Sequence, residues 1–306
     1  MILLQLLLLV VGFTMLVKGA DWFVDGTSGI ARKMGIPQLV VGLTIVAMGT
    51  SAPEAAVSVT AALKNNADIA IGNVLGSNIL NILVILGVTA VITSVAIQKS
   101  TLKIEMPYMI LITVVLIVMG MNDGAVTFWE GVILWVLFIT YLGYLFVLAK
   151  NGKEENEEIE KSTWKLLLSA IIGGVVVVWG SNITVDSATS IATILGMSER
   201  FIGLTIVALG TSLPELVTSV TAAIKGNADI AIGNIVGSNI FNILFVIGTS
   251  ALITSIPYEA SFLFDGIVAV AASILLWISV FRHLELRRFW GVVMLLGYAA
   301  YFVYLL

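Results

Sequence analysis

The sequence predicts an all-α membrane protein with ten transmembrane helices, arranged as two inverted five-helix repeats. The first observation is composition: 59% of the 306 residues are hydrophobic and 11% are charged, whereas a soluble domain has about 25% charged residues. A water-soluble fold of this size cannot bury so much apolar surface, so lipid is expected to cover it. The other observations are a series of long apolar runs and an internal repeat.

Each apolar run is long enough to cross a bilayer, because a spanning helix needs about 20 residues. The run that starts at Met1 lacks the charged start and the cleavage site of a signal peptide, so it is interpreted as the first span. The first and sixth runs are long and are expected to project beyond the hydrocarbon. The ten predicted spans are residues 2–31, 37–63, 67–95, 104–121, 126–149, 163–195, 199–224, 228–254, 259–281 and 287–306.

The internal repeat pairs residues 41–87 with residues 202–248 at an offset of 161, without a gap and with 33 of 47 positions identical. It implies a duplicated five-span unit, with a first copy at 1–149 and a second at 163–306, joined by an acidic linker at 150–162. An odd number of spans forces the second copy to enter the membrane from the opposite face. Inverted repeats are typical of transporters that bind their substrate near the midplane. A duplicated structural bundle without transport is the alternative.

Positive charge predicts the orientation. The side of the linker holds 12 Lys and Arg residues, and the opposite side holds Lys64 and Arg200. Because cytoplasmic loops carry the excess of Lys and Arg, the linker is expected in the cytoplasm. Both termini are then expected outside the cell, and the chain is expected in the cell membrane.

Composition also excludes several kinds of site and partner. The chain has no cysteine, which excludes disulfides and thiolate metal sites, and its one histidine, His283, rules out a multi-His metal centre. No basic tract suggests nucleic acid. The expected surroundings are membrane lipid, with no cofactor and no obligate protein partner.

Two glutamates, Glu54 and Glu215, lie inside the second and seventh spans at equivalent positions of the repeat. A carboxylate at membrane depth costs a few kcal/mol and should have a partner, yet no basic residue is placed symmetrically for both. Lys18 is a possible ion-pair partner for one of them, although it lies near the end of its span and its side chain can extend to the membrane–water interface instead. In one interpretation, both glutamates are protonated and hydrogen-bond each other. In the other, which is favoured, they face each other around a cation.

The neighbouring residues favour the cation. Pro53 and Pro214 have no N–H for the carbonyls of Gly49 and Gly210, which predicts broken helices with exposed carbonyl oxygens at membrane depth. The next spans add repeat-matched serines and asparagines, namely Asn73, Ser77, Asn78 and Asn81 with Asn234, Ser238, Asn239 and Asn242. Asn73, Asn78, Asn234 and Asn239 are equally explained as hydrogen-bonded bridges between helices. All of these side chains and carbonyls offer hard oxygen atoms as ligands, which suit Ca²⁺, Na⁺ or protons.

The paired motifs GTSAPE with GSNILN, and GTSLPE with GSNIFN, resemble the alpha repeats of the cation/calcium antiporter superfamily, in particular its prokaryotic sodium/calcium exchanger branch. The resemblance implies alternating access, in which the first and sixth helices slide across the other eight. It implies a central diamond of Glu54, Asn81, Glu215 and Asn242. It further implies Ca²⁺ bound by Glu54, Glu215 and the carbonyls of Thr50 and Thr211. The implied Na⁺ ligands are Ser51, Ser77, Ser212, Ser238 and the carbonyls of Ala47 and Ala208.

One position departs from some relatives of that family. Potassium-dependent exchangers resemble this chain but carry an aspartate where Asn242 stands, so two amides here weaken any case for potassium co-transport. The GTSxPE motif favours sodium as the coupling ion, which makes Na⁺/Ca²⁺ antiport the expected function. The alternatives are H⁺/Ca²⁺ antiport and, from another class, a cation channel. An intramembrane enzyme is disfavoured because neither HExxH nor GxSxG occurs.

Overall fold

The computed structural model describes residues 2–64, 66–152, 162–196 and 208–305, and in these ranges the fold is helical apart from four two-residue strands. The elements are α1 Ile2–Met34, α2 Gln38–Thr50, α3 Ala52–Leu63, α4 Asp68–Ile92, β1 Val95–Ala96, α5 Thr101–Asp123, β2 Ala125–Val126, α6 Phe128–Asn151, α7 Thr163–Ile194, α8 Ala208–Thr211, α9 Leu213–Ile224, α10 Ala228–Ile253, β3 Ile256–Pro257, α11 Ala260–Val280, β4 Glu285–Leu286 and α12 Arg288–Leu305.

Within the described ranges, eight helices are long and apolar enough to cross a membrane, and a ninth span results if the bent pair α2 and α3 counts as one. The prediction of an all-α membrane protein is confirmed at this level. The predicted span 199–224 is represented by α8 and the short apolar helix α9, and its first residues lie outside the described part, as does most of the acidic linker. The two long predicted spans correspond to α1, with 33 residues, and α7, with 32.

Two short strand pairs mark the opposite ends of the helix bundle. β1 pairs with β4 at the end where α6 leads into the linker, and β2 pairs with β3 at the other end. We call the first end the linker face. The second is the terminal face, because α12 ends there and α1, which runs antiparallel to α7, begins there.

The pair formed by α1 and α7 depends on glycines repeated every seven residues. A Cβ added at Gly19 would lie 2.8 Å from the backbone nitrogen of Val177, and one at Gly173 would lie 2.4 Å from the nitrogen of Phe23. Small residues let membrane helices approach in this way. The outward sides of both helices carry exposed apolar side chains such as Leu3 and Trp164, as expected of a surface in contact with lipid.

The core lies around α4 and α10, the two most buried of the long helices. Each carries a turn of wider π-helix in its second half, at Asn81–Leu86 and at Asn242–Ile247. These two turns are equivalent in the internal repeat. Such wide turns occur frequently at functional sites, and each begins at an asparagine that the sequence analysis had selected.

One cluster of ion pairs joins α1 to α9 near the linker face. The ammonium of Lys225 lies 3.0 Å from a carboxylate oxygen of Asp21 and 2.8 Å from one of Asp25. Partial burial acts to lower the pKa of Lys225, but the hydrogen bonds to Asp25 and Asp21 outweigh it and raise that pKa. The repeat equivalents Lys64 and Asp186 form no ion pair with any residue in the part of the chain that is described.

Candidate functional site

The site begins at a break in the second span. α2 and α3 meet at Ser51 with a bend of 51°, two residues before Pro53. Ser212 separates α8 from α9 in the same way, two residues before Pro214. The prolines therefore interrupt the helices as the sequence analysis predicted, and each break places a glutamate in the first turn of the helix that follows it.

Four carboxylate and amide oxygen atoms at the centre of the molecule are buried and have no hydrogen-bond partner among the described residues. They are Oε2 of Glu54, Oδ1 of Asn81, Oε2 of Glu215 and Oδ1 of Asn242. Each of these residues is at most 1% exposed. A buried polar atom without a partner costs about 1–3 kcal/mol, so these four oxygen atoms are suited to coordinate a cation. The charges of the two glutamates also lie close enough to interact.

The neighbouring amides orient the two central asparagines. Asn81 donates from Nδ2 to Oδ1 of Asn239 at 3.0 Å, and Asn242 donates to Oδ1 of Asn78 at 3.2 Å. Asn78 and Asn239 in turn donate to each other's backbone carbonyls at 3.2 and 3.1 Å. With their nitrogen atoms engaged, Asn81 and Asn242 present oxygen atoms that accept no hydrogen bond.

In the structure, Asn73 and Asn234 form hydrogen-bonded bridges between helices, as one of the two interpretations predicted. Asn73 donates to Oγ of Ser58 at 2.9 Å, and Asn234 donates to Oγ of Ser219 at the same distance. These bonds join the helix that follows each break to the buried helix after it. Together with the Asn78–Asn239 pair, they form a scaffold that holds the two breaks against each other.

Hydroxyl groups surround the carboxylates. Ser51 donates to Oε1 of Glu215 at 2.9 Å, and the hydroxyls of Ser77 and Ser212 lie next to the Glu54 carboxylate. The hydroxyl of Ser238 lies 3.4 Å from the carbonyl oxygen of Ala47. Of the other predicted residues, Thr50 donates to Oδ1 of Asn234 at 3.0 Å, Thr211 lines a cavity described below, and Ala208 begins α8.

The structure leaves Lys18 on the exposed surface of α1, where it is not a partner of either glutamate. Within the described ranges, no group of three or more acidic, His or Cys side chains could hold a metal ion. Any cation at the centre therefore needs the amide, hydroxyl and carbonyl oxygens beside the two carboxylates.

In the described part of the chain, a cavity reaches two of the predicted ion ligands from one side of the site. A cavity of about 230 Å³ opens between α4 and α12 in the half near the terminal face, and both Ser77 and Thr211 line it. On the linker side, α2 packs directly against α10: a Cβ added at Gly237 would lie 2.8 Å from the Cα of Leu43.

Sequence reasoning missed one contact at the second break. Ser181 of α7 donates to the carbonyl of Gly210 at 2.8 Å, and this is a carbonyl that Pro214 leaves without its helical partner. The equivalent of Ser181 in the first copy is Ala20, which has no hydroxyl. Because the feature occurs in one copy alone, the repeat gave no signal for it.

Comparisons with known proteins identify the family of the chain. Residues 4–147 and 165–306 match the family model described as sodium/calcium exchanger protein. The chain is 34% identical to the sodium/calcium exchanger MaX1 of Methanosarcina acetivorans, over 100% of the chain and 99% of that protein. It is 37% identical to the inner membrane protein YrbG of Escherichia coli, over 88% of each. A solved structure of the sodium-calcium exchanger NCX_Mj, soaked with zero Na⁺ and Ca²⁺, covers 100% of both chains with a TM-score of 0.88 and 34% identity.

Proposed function

Because the chain belongs to the sodium/calcium exchanger family, we propose that it is a secondary active antiporter that exchanges Na⁺ for Ca²⁺ by alternating access. The family assignment made from the two repeated motifs is thereby confirmed. The ions are transported substrates, and the family's activity requires no cofactor and no enzymatic step. The finer points of site, topology and movement rest on the arguments that follow.

The assignment of the central site rests on the four unpartnered carboxylate and amide oxygens. Glu54 and Glu215 supply two formal negative charges, which one Ca²⁺ neutralises, while Asn81 and Asn242 supply neutral oxygens. Ca²⁺ takes about 6–8 oxygen ligands, and the carbonyls of Thr50 and Thr211 would add two. The Na⁺ ligands are then the hydroxyls of Ser51, Ser77, Ser212 and Ser238 with the carbonyls of Ala47 and Ala208.

The proposed layout has ten spans in two inverted five-span units, residues 1–149 and 163–306, joined by the acidic linker 150–162. It is supported by the sequence offset of 161 and by the matching breaks at Ser51 and Ser212. The excess of Lys and Arg on the linker side supports a cytoplasmic linker and extracellular termini. A relative from Escherichia coli is named an inner membrane protein, which supports the cell membrane as the location.

Alternating access requires that the site open to the two faces in turn. The open half at Ser77 and the closed half at Gly237 correspond to one such state, facing the extracellular side if the termini lie outside. The pair α1 and α7 packs on the surface of the bundle and is the proposed sliding unit. Its movement would open the linker side as the terminal side closes.

The direct test is Ca²⁺ uptake into proteoliposomes loaded with either Na⁺ or acid. Na⁺-loaded vesicles are expected to accumulate Ca²⁺, whereas acid-loaded vesicles without Na⁺ are expected to accumulate little. Equal rates would show that protons drive the exchange. Ca²⁺ entry that needs no counter-ion gradient would indicate a channel.

The variants Glu54→Gln and Glu215→Gln test the site itself. Each removes one of two charges that balance a divalent ion, and a half-compensated ion in a buried site costs several kcal/mol. Both are expected to abolish Ca²⁺ uptake while the protein remains folded. Glu259→Gln, at an exposed carboxylate just before α11, is the matched control and should transport normally. Near-normal Ca²⁺ flux in either site variant would contradict the two-carboxylate site.

A further inference from the structure

One acidic residue outside the central site lines the cavity that leads to it. The cavity on the terminal side is bounded by α4, Thr211, α11 and α12, and Asp265 of α11 lines it together with Ser77. Asp265 and two of the proposed ion ligands therefore share one space. The sequence analysis did not select Asp265, because its equivalent in the first copy is Ile104.

The carboxylate of Asp265 is held in place by a hydrogen bond rather than by an ion pair. Its Oδ1 accepts a hydrogen bond of 2.8 Å from the hydroxyl of Tyr301 on α12, and its side chain is half-buried. Among the described residues, the ion pairs that form do not include Asp265. An ionisable residue within a membrane span is costly and usually marks an ion or substrate path.

The first copy holds a similar couple near the opposite face. Glu105 of α5 is fully buried and accepts a hydrogen bond from the hydroxyl of Tyr144 on α6, while its Oε2 has no partner. It lines a smaller cavity of about 90 Å³ together with Tyr108 and Tyr141. In the repeat, Glu105 aligns one position away from Asp265. Each copy thus has a hydrogen-bonded acid and tyrosine between its last two spans.

The two cavities differ in how far they reach. The one at Asp265 extends to Ser77, whereas the lining of the one at Glu105 includes no residue of α10. The cavity at Glu105 therefore ends short of the proposed Na⁺ ligands in this structure.

We propose that Asp265 attracts cations into the entrance on the terminal side, and that Glu105 does so on the linker side when the molecule opens there. The inference rests on the proposed antiport and adds to it a residue at each entrance. A fixed negative charge in a low-dielectric cleft raises the local concentration of cations. Because the electrostatic energy is proportional to the charge of the ion, the enrichment of Ca²⁺ is the square of that of Na⁺.

The test is the half-saturating concentration of each ion, measured separately at the two faces in oriented proteoliposomes. At low ionic strength, Asp265→Asn should raise it at the terminal face by about threefold for Na⁺ and about tenfold for Ca²⁺. The linker face should be unchanged, and added choline chloride should shrink the difference by screening. Glu105→Gln should show the reverse sidedness. Glu259→Gln, an exposed carboxylate outside the cavity lining, is the control and should change neither face.

The absence of cysteine in the chain provides a second variant that depends on charge alone. Asp265→Cys should behave like the asparagine variant, and a thiol reagent carrying a sulfonate should restore the low half-saturating concentration. A reagent carrying a trimethylammonium group should raise that concentration further. Unchanged values in Asp265→Asn, equal changes at both faces, or a change that persists at high ionic strength would overturn the inference. Absence of exchange in the unmodified protein would instead refute the proposed function.

Discussion

At the scale of single residues, two amides set the charge of the centre. Asn81 and Asn242 contribute oxygen atoms without charge, so the four central residues carry two formal negative charges when both glutamates are ionised. Two charges balance one Ca²⁺ or two Na⁺. The serines around them then decide which monovalent ions can be held, because Na⁺ needs oxygen ligands of its own whereas protons bind the carboxylates directly.

Ser77→Ala and Ser238→Ala should therefore raise the Na⁺ concentration needed for half-maximal Ca²⁺ exchange. Each removes one hydroxyl ligand worth about 1–2 kcal/mol, which corresponds to a loss of roughly five- to thirtyfold in apparent affinity. Na⁺-dependent Ca²⁺ flux measures the effect. Ser273→Ala is the control, because the Ser273 hydroxyl is buried on α11 and bonds only within its own helix in the described structure. Unchanged Na⁺ dependence in both site variants would show that these hydroxyls are not Na⁺ ligands.

Residues that occur in both copies of the repeat were predictable from the sequence. Glu54 and Glu215 stand out because a polar residue conserved between two apolar copies needs a shared reason, and the structure brings them together. Asp265, Glu105 and Ser181 were not predictable, because each occurs in one copy alone and becomes informative only through its contacts. The role of Asn78 and Asn239 also needed coordinates, since an amide can serve equally as a ligand or as a bridge.

At the scale of helices, glycines on the facing sides of α1 and α7 give the two helices smooth contact surfaces. Glycines at 12, 19 and 26 of α1 face α7, whose Gly173 and Gly180 face α1 in turn. Sequence alone gave the length of both helices but not their contact, because α1 and α7 are far apart in the chain. The wide turns at Asn81 and Asn242 were likewise beyond prediction, since a π-helical turn has no distinctive composition.

Gly173→Ala should destabilise the protein, whereas Gly174→Ala should not. A Cβ at Gly173 would lie 2.4 Å from the backbone nitrogen of Phe23, while one at Gly174 would meet only the Phe23 ring at 3.5 Å. Overpacking of this kind costs about 1–3 kcal/mol, and alanine is otherwise the better helix former by about 1 kcal/mol. Thermal unfolding in detergent should show a lower midpoint for Gly173→Ala alone. Equal midpoints for the two variants would mean that the helices separate at little cost.

At the scale of the whole molecule, the orientation can be tested with single cysteines in a chain that has none. A cysteine placed in the linker 150–162 should react with an impermeant thiol reagent only from the cytoplasmic side, and one added at the C-terminus only from outside. Labelling of intact cells and of inverted vesicles measures both. The reverse pattern would show that the Lys and Arg excess does not set the topology here.

The ion pairs of Lys225 have a thermodynamic consequence for the working cycle. They join α1 to α9 at the linker face, while their repeat equivalents Lys64 and Asp186 form no ion pair with a described residue. An exposed pair contributes at most about 1 kcal/mol, so a pair that is lost in the other facing state shifts the balance between the two states by at most about fivefold. Such a shift alters the half-saturating concentrations at the two membrane faces in opposite senses. It leaves the final accumulation ratio untouched, because the ion gradients alone fix that ratio. If the Lys225 pairs form in this state alone, they therefore set which face the empty carrier prefers, and not how far it concentrates Ca²⁺.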